Sequence, residues 1–238
     1  MTQELQLGEV AVDVVQKDIK NLHLSVHPPT GRVTISAPTR MKLDAIRVFA
    51  ITKLGWIKQQ QAKQRAQMRE TPRDYVERES HYLWGRRYLM SVLEEEGPTC
   101  VEVSGNRIKL HVRPGTLPAK RHAIMDQWYR SELKQALVPL LTKWEKIIGV
   151  KAAKVFVQRM KTKWGSCNHR SGTVRFNTDL AKKPPECLEY LVVHELVHLL
   201  EHTHNARFVS LMDHYLSKWR THQQALNNLP VRHEAWSC

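Results

Sequence analysis

Apolar and polar positions alternate over Val10–Val15, Leu22–Val26 and Val33–Ala37, the period-two pattern of strands buried on one face. Pro28-Pro29-Thr30-Gly31 marks a turn between the second and third of these runs. After Pro38-Thr39-Arg40 the spacing changes. From about Lys42, Ile46, Phe49, Ile51, Leu54, Trp56 and Ile57 recur as on a helix that runs towards Met68. Its later half, Lys58 to Arg69, is polar and Gln-rich, which suits a solvated extension or a docking surface for an acidic partner, and Thr71-Pro72-Arg73 ends it.

A second strand group follows at His81–Leu83, Arg87–Leu93, Val101–Val103 and Arg107–Val112, with Ser104-Gly105-Asn106 as a tight turn and Arg113-Pro114-Gly115 closing it. Pro118 to Ile148 then reads as one long helix. Ile124, Trp128, Leu133, Leu137, Leu141, Trp144 and Ile148 fall at helical spacing, and Pro139 is where it would kink or split. Strands at Lys154–Arg159 and Gly172–Asn177, with Asn168 to Gly172 as a turn, precede an apolar helix that starts at Pro184-Pro185. A missing amide costs nothing there, and Glu186 complements the helix dipole. Asn205 is placed to cap a further helix carrying Phe208, Leu211, Met212 and Tyr215, and the tail from Pro230 to Cys238 reads as loosely ordered.

These elements predict an α+β protein with a boundary near residue 115. Residues 1–115 form a β-rich N-terminal region with one long helix. Residues 116–238 hold a small antiparallel sheet and the apolar helix. That helix carries the chemistry, in the box His194-Glu195-Leu196-Val197-His198. Two histidines four apart on a helix lie within about 40° of each other around its axis, so both imidazoles reach one metal ion from the same face. Glu195 points to the flank, where it can hold and deprotonate a metal-activated water, the zinc-hydrolase arrangement. Leu191, Val192, Val193, Leu196, Val197, Leu199 and Leu200 make the helix apolar on nearly every side. Burying two histidines and a glutamate there is costly unless they have partners, and a metal relieves that cost.

A catalytic zinc keeps three protein ligands and leaves a fourth position for water. His204, six residues past His198 where the helix should end, is the favoured third ligand. His202 would reach the same face if the helix continued. Glu201 is the remaining option, better suited to orienting a ligand than to binding metal. Metzincins carry glycine where this chain has Glu201, so the box belongs to a different zincin-like type.

Composition narrows the setting. The chain has 238 residues, is 42% apolar and contains seven tryptophans, which suits a folded protein with an ample core. Charged residues across Met1 to Lys20 exclude a signal peptide, and no apolar run reaches membrane-spanning length. Four scattered cysteines, Cys100, Cys167, Cys187 and Cys238, read as reduced thiols of a cytoplasmic protein. The net charge of +14 favours encounter with nucleotides, nucleic acid or acidic substrates. Its densest clusters are Lys53 to Arg73 and Arg159 to Lys163, and no nucleic-acid-binding motif accompanies them.

Trp164-Gly165-Ser166-Cys167, Phe176-Asn177, Leu180, Pro184-Pro185, the run Tyr190 to His198, and His204-Asn205-x-x-Phe208 together resemble the YgjP-like metallopeptidase family, itself related to SprT and WLM zinc proteases. The match is strong over the last two-fifths of the chain and weaker at Gly85 to Tyr88. The resemblance implies a zinc ion (Zn2+) on His194, His198 and His204, with Glu195 as the catalytic general base. It also makes Gly172 to Asn177 the edge strand on which an extended peptide would pair, and Trp164, Ser166 and Asn177 the residues lining a substrate cleft or fixing its turn. The expected activity is zinc-dependent peptide hydrolysis, with Arg207, His202 or Tyr215 as candidate oxyanion stabilisers. Two alternatives follow from a metal site on a basic chain: a metal-dependent nucleotide pyrophosphohydrolase, and a DNA-associated protease or accessory protein. Against the first stand the missing phosphate-cradling glycine loop and the missing carboxylate cluster for magnesium.

Overall fold

Val12, Val14, Val33, Ile35 and Ala37 are buried because strands β2 (Val10–Lys17) and β4 (Arg32–Pro38) run parallel in a register that sets Val12 beside Val33 and Val14 beside Ile35. The computed structural model describes residues 2–27, 30–66 and 70–230. Pro28 and Pro29 of the expected turn, the helix end towards Met68, and residues 231–238 with Cys238 lie outside them. The chain divides into two compact units between Thr71 and Pro72.

In the first unit, β1 (Thr2–Leu7) pairs antiparallel with β2 and β3 (His23–His27) antiparallel with β4, in the order β1-β2-β4-β3. Helices α1 (Leu43–Thr52) and α2 (Leu54–Ala66) place Ile46, Ala50 and Ile57 in the same core as Leu5, Val10 and Val12. The sequence pattern reads as one helix. The chain instead breaks at Lys53, whose N–H bonds back three residues to the Ala50 carbonyl at 3.1 Å and tightens the turn. Only Ile57 of α2 is buried, so its polar half is the expected solvated extension, with the Gln61 amide donating to the Gly31 carbonyl at 2.9 Å.

In the second unit, β5 (Ser80–Leu83), β6 (Arg86–Glu94), β7 (Cys100–Ser104) and β8 (Arg107–Val112) form a sheet in the order β5-β6-β8-β7. Its buried Met90, Ile108 and Leu110 share one core with Met125, Tyr129, Leu133 and Leu137 of α3 (Pro118–Ile148). This core runs across the boundary read at 115/116. Helix α3 continues unbroken through Pro139. Pro139 and Gln135 are both exposed, so the carbonyl left without its amide partner faces water. Gly149, at φ 76°, closes the helix as a left-handed cap.

The third sheet, β10 (Gly165–Asn168), β11 (Thr173–Asn177) and β9 (Lys154–Gln158), is mixed rather than antiparallel. The chain leaves β9, returns as β10, and reverses again at the turn into β11, which therefore runs parallel to β9. A 3-10 turn at Thr178–Lys182 leads into α4 (Pro185–Val197), followed by α5 (Ala206–Tyr215) and α6 (Trp219–Asn228). The β5–β6 hairpin braces the start of α4. Its two turn residues, Trp84 and Gly85, both have positive φ, and their N–H groups donate to the Ala181 and Lys182 carbonyls at 2.8 and 3.3 Å. A Cβ on Gly85 would meet Pro184 Cγ at 3.0 Å. The described residues thus form a mixed α+β protein with three small sheets and six α-helices. None of those helices is long and apolar enough to cross a membrane.

Candidate metal centre

Helix α4 is buried almost throughout, and Leu188, Leu191, Val192, Val193, Leu196 and Val197 anchor it in the core. That leaves His194 and His198 on the face turned towards β10 and α5. The helix ends at Val197, so His198 is its cap and the chain turns back. Asn205 then caps α5 by accepting from the Phe208 N–H at 3.0 Å, which fixes the approach of His204. The turn carries the His204 Nε2 to 3.1 Å from the His198 Nε2 and 3.2 Å from the His194 Nε2. The Phe208 ring supports all three imidazoles, with centroids 5.0, 4.6 and 4.8 Å from those of His194, His198 and His204.

The three histidines each offer a ligand atom, and these atoms lie within 4.8 Å of one another. Tetrahedral zinc–nitrogen bonds of about 2.0–2.1 Å place neighbouring ligand nitrogens about 3.3 Å apart, close to the spacing found. The tautomer fits as well. The Nδ1 of His198 lies 3.0 Å from the Glu201 carbonyl, which only accepts, so Nδ1 carries the proton and Nε2 keeps its lone pair. Burial lowers the pKa of His194 to about 3 and also lowers that of His198, so both rings are neutral at ordinary pH, the form in which an imidazole can bind a metal.

His202 and Glu201 stand outside this cluster. His202 is exposed and pairs with the His169 ring at 4.9 Å. The Glu201 carboxylate accepts from the Thr203 backbone N–H and hydroxyl, so it is the main chain of Glu201, not its carboxylate, that orients His198.

Glu195 is 3% exposed, and its Oε2 has no hydrogen-bond partner among the described residues. Burial raises its pKa to about 8, with the nearby Lys163 charge acting in the opposite sense. The carboxylate lies flat against β10: a Cβ on Gly165 would stand 2.5 Å from Oε1, 3.0 Å from Cδ and 3.1 Å from Cγ. The Cys167 thiol, on the same strand, is pushed up to about 11 by burial and by the Glu195 charge.

Two cavities flank the histidines. A polar one of about 270 Å³ is bordered by Ser166, Cys167, His169 and His202. A more apolar one of about 370 Å³ is bordered by Trp164, Leu191, Phe208 and Trp219. Lys163, Gly165, His194, Glu195 and His204 border both. Trp164 borders the apolar cavity and Ser166 the polar one. Asn177 borders neither: it is buried, donates to the Met160 and Lys163 carbonyls at 2.8 and 2.9 Å, and accepts from the Asp179 N–H. It holds the loop that leads into Trp164. Arg207 and Tyr215, two of the candidate oxyanion stabilisers, border neither cavity, whereas His202 borders the polar one.

The expected edge strand also moves. Residues 173–177 form β11, the centre of the sheet, paired on both sides, so the edge beside the histidines is β10. The Asn177 N–H donates to the Trp164 carbonyl at 2.8 Å, and ladder bonds alternate, so the main-chain groups of Gly165 and Cys167 turn away from β11. Sequence reasoning assigned no role to Gly165, Lys163, Tyr190, Trp219 or Gln223. For Gly165 a signal was available in the glycine itself, in a strand position where glycine marks a close approach.

The family model of the YgjP-like metallopeptidase domain matches residues 20–229. A comparison with curated proteins gives no match. Among solved structures, the chain is similar to the metallopeptidase zymogen abylysin of Pyrococcus abyssi, at 19% identity and a TM-score of 0.35, covering 37% of this chain and 89% of that one. It is also similar to the zymogen jannalysin of Methanocaldococcus jannaschii, at 22% identity and a TM-score of 0.32, covering 40% and 85%. The domain match covers most of the chain, including the three-histidine cluster, and the chain belongs to the YgjP-like metallopeptidase family.

Proposed function

We propose that the protein is a zinc-dependent peptidase in which His194, His198 and His204 hold the metal and Glu195 is the general base. The observation that carries this reading is the convergence of three imidazoles beside a buried carboxylate that has an open lone pair. When bound, zinc supplies a Lewis acid that polarises a carbonyl and acidifies a water. The chain's own residues do the rest. Glu195, made more basic by burial, takes the proton of the attacking water and delivers it to the leaving amine nitrogen. The outward main-chain groups of Gly165 and Cys167 on β10 pair with an extended peptide. Lys163, which borders both cavities, is the group best placed to favour negative charge developing in the cleft.

The catalytic residues all lie within 116–238, which we assign as the zincin-like hydrolase segment. The substrate is a peptide or protein. The three described cysteines are free thiols, in keeping with a cytoplasmic enzyme. A peptide pool incubated with zinc-loaded protein should be cleaved, and chelation should stop the cleavage. Glu195→Gln should keep its zinc and lose turnover. Zinc-loaded protein that cleaves no peptide, or a Glu195→Gln variant as active as the parent, would refute the reading.

A further inference from the structure

We infer that the apolar cavity beside Glu195 is a specificity pocket for a large apolar side chain, such as Leu, Met or Phe, on one side of the scissile bond. The inference rests on the peptidase reading and deepens it. The cavity opens onto His194, Glu195 and His204, so a peptide bond presented to Glu195 must direct a flanking side chain towards it. Its walls are Trp164, Leu191, Phe208, Val209 and Trp219. The formal charges that border it, Lys163 and Glu195, are shared with the polar cavity.

The Tyr190 hydroxyl lies 3.4 Å from the His194 Nδ1, and Gln223 is an uncharged amide, so neither places a formal charge inside the cavity. The walls are also braced. The Trp219 and Tyr190 rings are near-parallel, at 10° and 6.4 Å, and the Trp219 Nε1 donates to Asp213 at 2.7 Å. A volume of about 370 Å³ accommodates a bulky side chain, and a Gly or Ala side chain would leave most of it unfilled. This opposes the bland expectation from a net charge of +14, which is that an acidic residue would be preferred next to the cleaved bond.

The test uses the full-length, zinc-loaded protein and a randomised peptide library, with cleavage sites read by mass spectrometry. Leu, Met and Phe should be enriched at one position flanking the cleaved bond, by about 10- to 200-fold over Ala or Asp. Val209→Phe fills the pocket and should collapse that ratio, and Gln223→Glu should shift the preference towards Lys and Arg. If melting or zinc content shows that Val209→Phe has destabilised the fold, the Gln223→Glu variant carries the test. A binding readout runs beside it: zinc-loaded Glu195→Gln should bind a Leu-containing site peptide at least about tenfold more tightly than its Ala counterpart by calorimetry. Cleavage with no apolar enrichment, with acidic enrichment, or with a ratio that neither folded variant changes would overturn the pocket and leave the peptidase reading standing. No cleavage of any peptide would overturn both.

Discussion

Gly165→Ala is the sharpest perturbation the site offers, because it adds one methyl group where the structure has no room. The new Cβ would lie 2.5 Å from the Glu195 Oε1, and ordinary contact begins at 3.4 Å, so the carboxyl oxygen must retreat by about 0.9 Å. The Cδ and Cγ, at 3.0 and 3.1 Å, are crowded too, so rotating the terminal torsion alone does not relieve the contact. A displacement of about 1 Å at a reacting group costs about 100-fold in rate, equivalent to about 2.7 kcal/mol of transition-state stabilisation. Overpacking adds about 1–3 kcal/mol of global destabilisation. None of the three histidines is among the nearest atoms to the added Cβ, so zinc should stay bound. The assay is kcat/KM on a cleaved peptide, with zinc content and thermal melting measured on the same preparations. Full kcat/KM in folded, zinc-loaded Gly165→Ala would refute the claim that this glycine positions the base.

Other predictions concern metal affinity and the brace beneath α4. Because burial holds His194 at about 3 and lowers His198, protons compete less with metal at those two rings than at ordinary imidazoles, so zinc affinity should fall between pH 7.5 and 5.5 by much less than three ordinary imidazoles would give. An ordinary imidazole would lose about tenfold over that range, and a loss of about 1000-fold, as three such rings would give, would contradict the shifts. Gly85→Ala should cost about 1–3 kcal/mol, since its φ is +76° and its Cβ would crowd Pro184, and should lower Tm by about 5 °C. Gly97→Ala, with nothing within 4 Å and no positive φ, should stay within about 0.5 kcal/mol of the parent, and equal melting of the two variants would refute the brace.

The strands and the apolar helix were legible because each is a local pattern: alternation at Val10–Val15 and Arg107–Val112, and a box of His194, Glu195 and His198 set in apolar residues. The end of α4 was legible in part, and with it the place of His204, because Asn205 is a capping residue that the structure uses as one. What the sequence did not disclose depends on pairing between distant segments. The parallel partnership of β9 with β11 is not written in either strand, so the sequence alone suggests β11 as an edge when it is central. Strand β1 has only Leu5 and Leu7 as apolar marks and gains its place by pairing with β2. Asn177 resembled a cleft residue because it sits beside the motif in sequence, yet its amide is consumed by the Met160 and Lys163 carbonyls. Helix α6 supplies Trp219 and Gln223 to the apolar cavity, a role visible only once the helix packs against α4.

The metal content of purified wild type and of His204→Ala, by elemental analysis after exposure to zinc and removal of the excess, tests the three-histidine site most directly. About one zinc per chain in the wild type, lost or greatly weakened in the variant, is the expected result. Full occupancy without His204, or no zinc in the wild type, would contradict it.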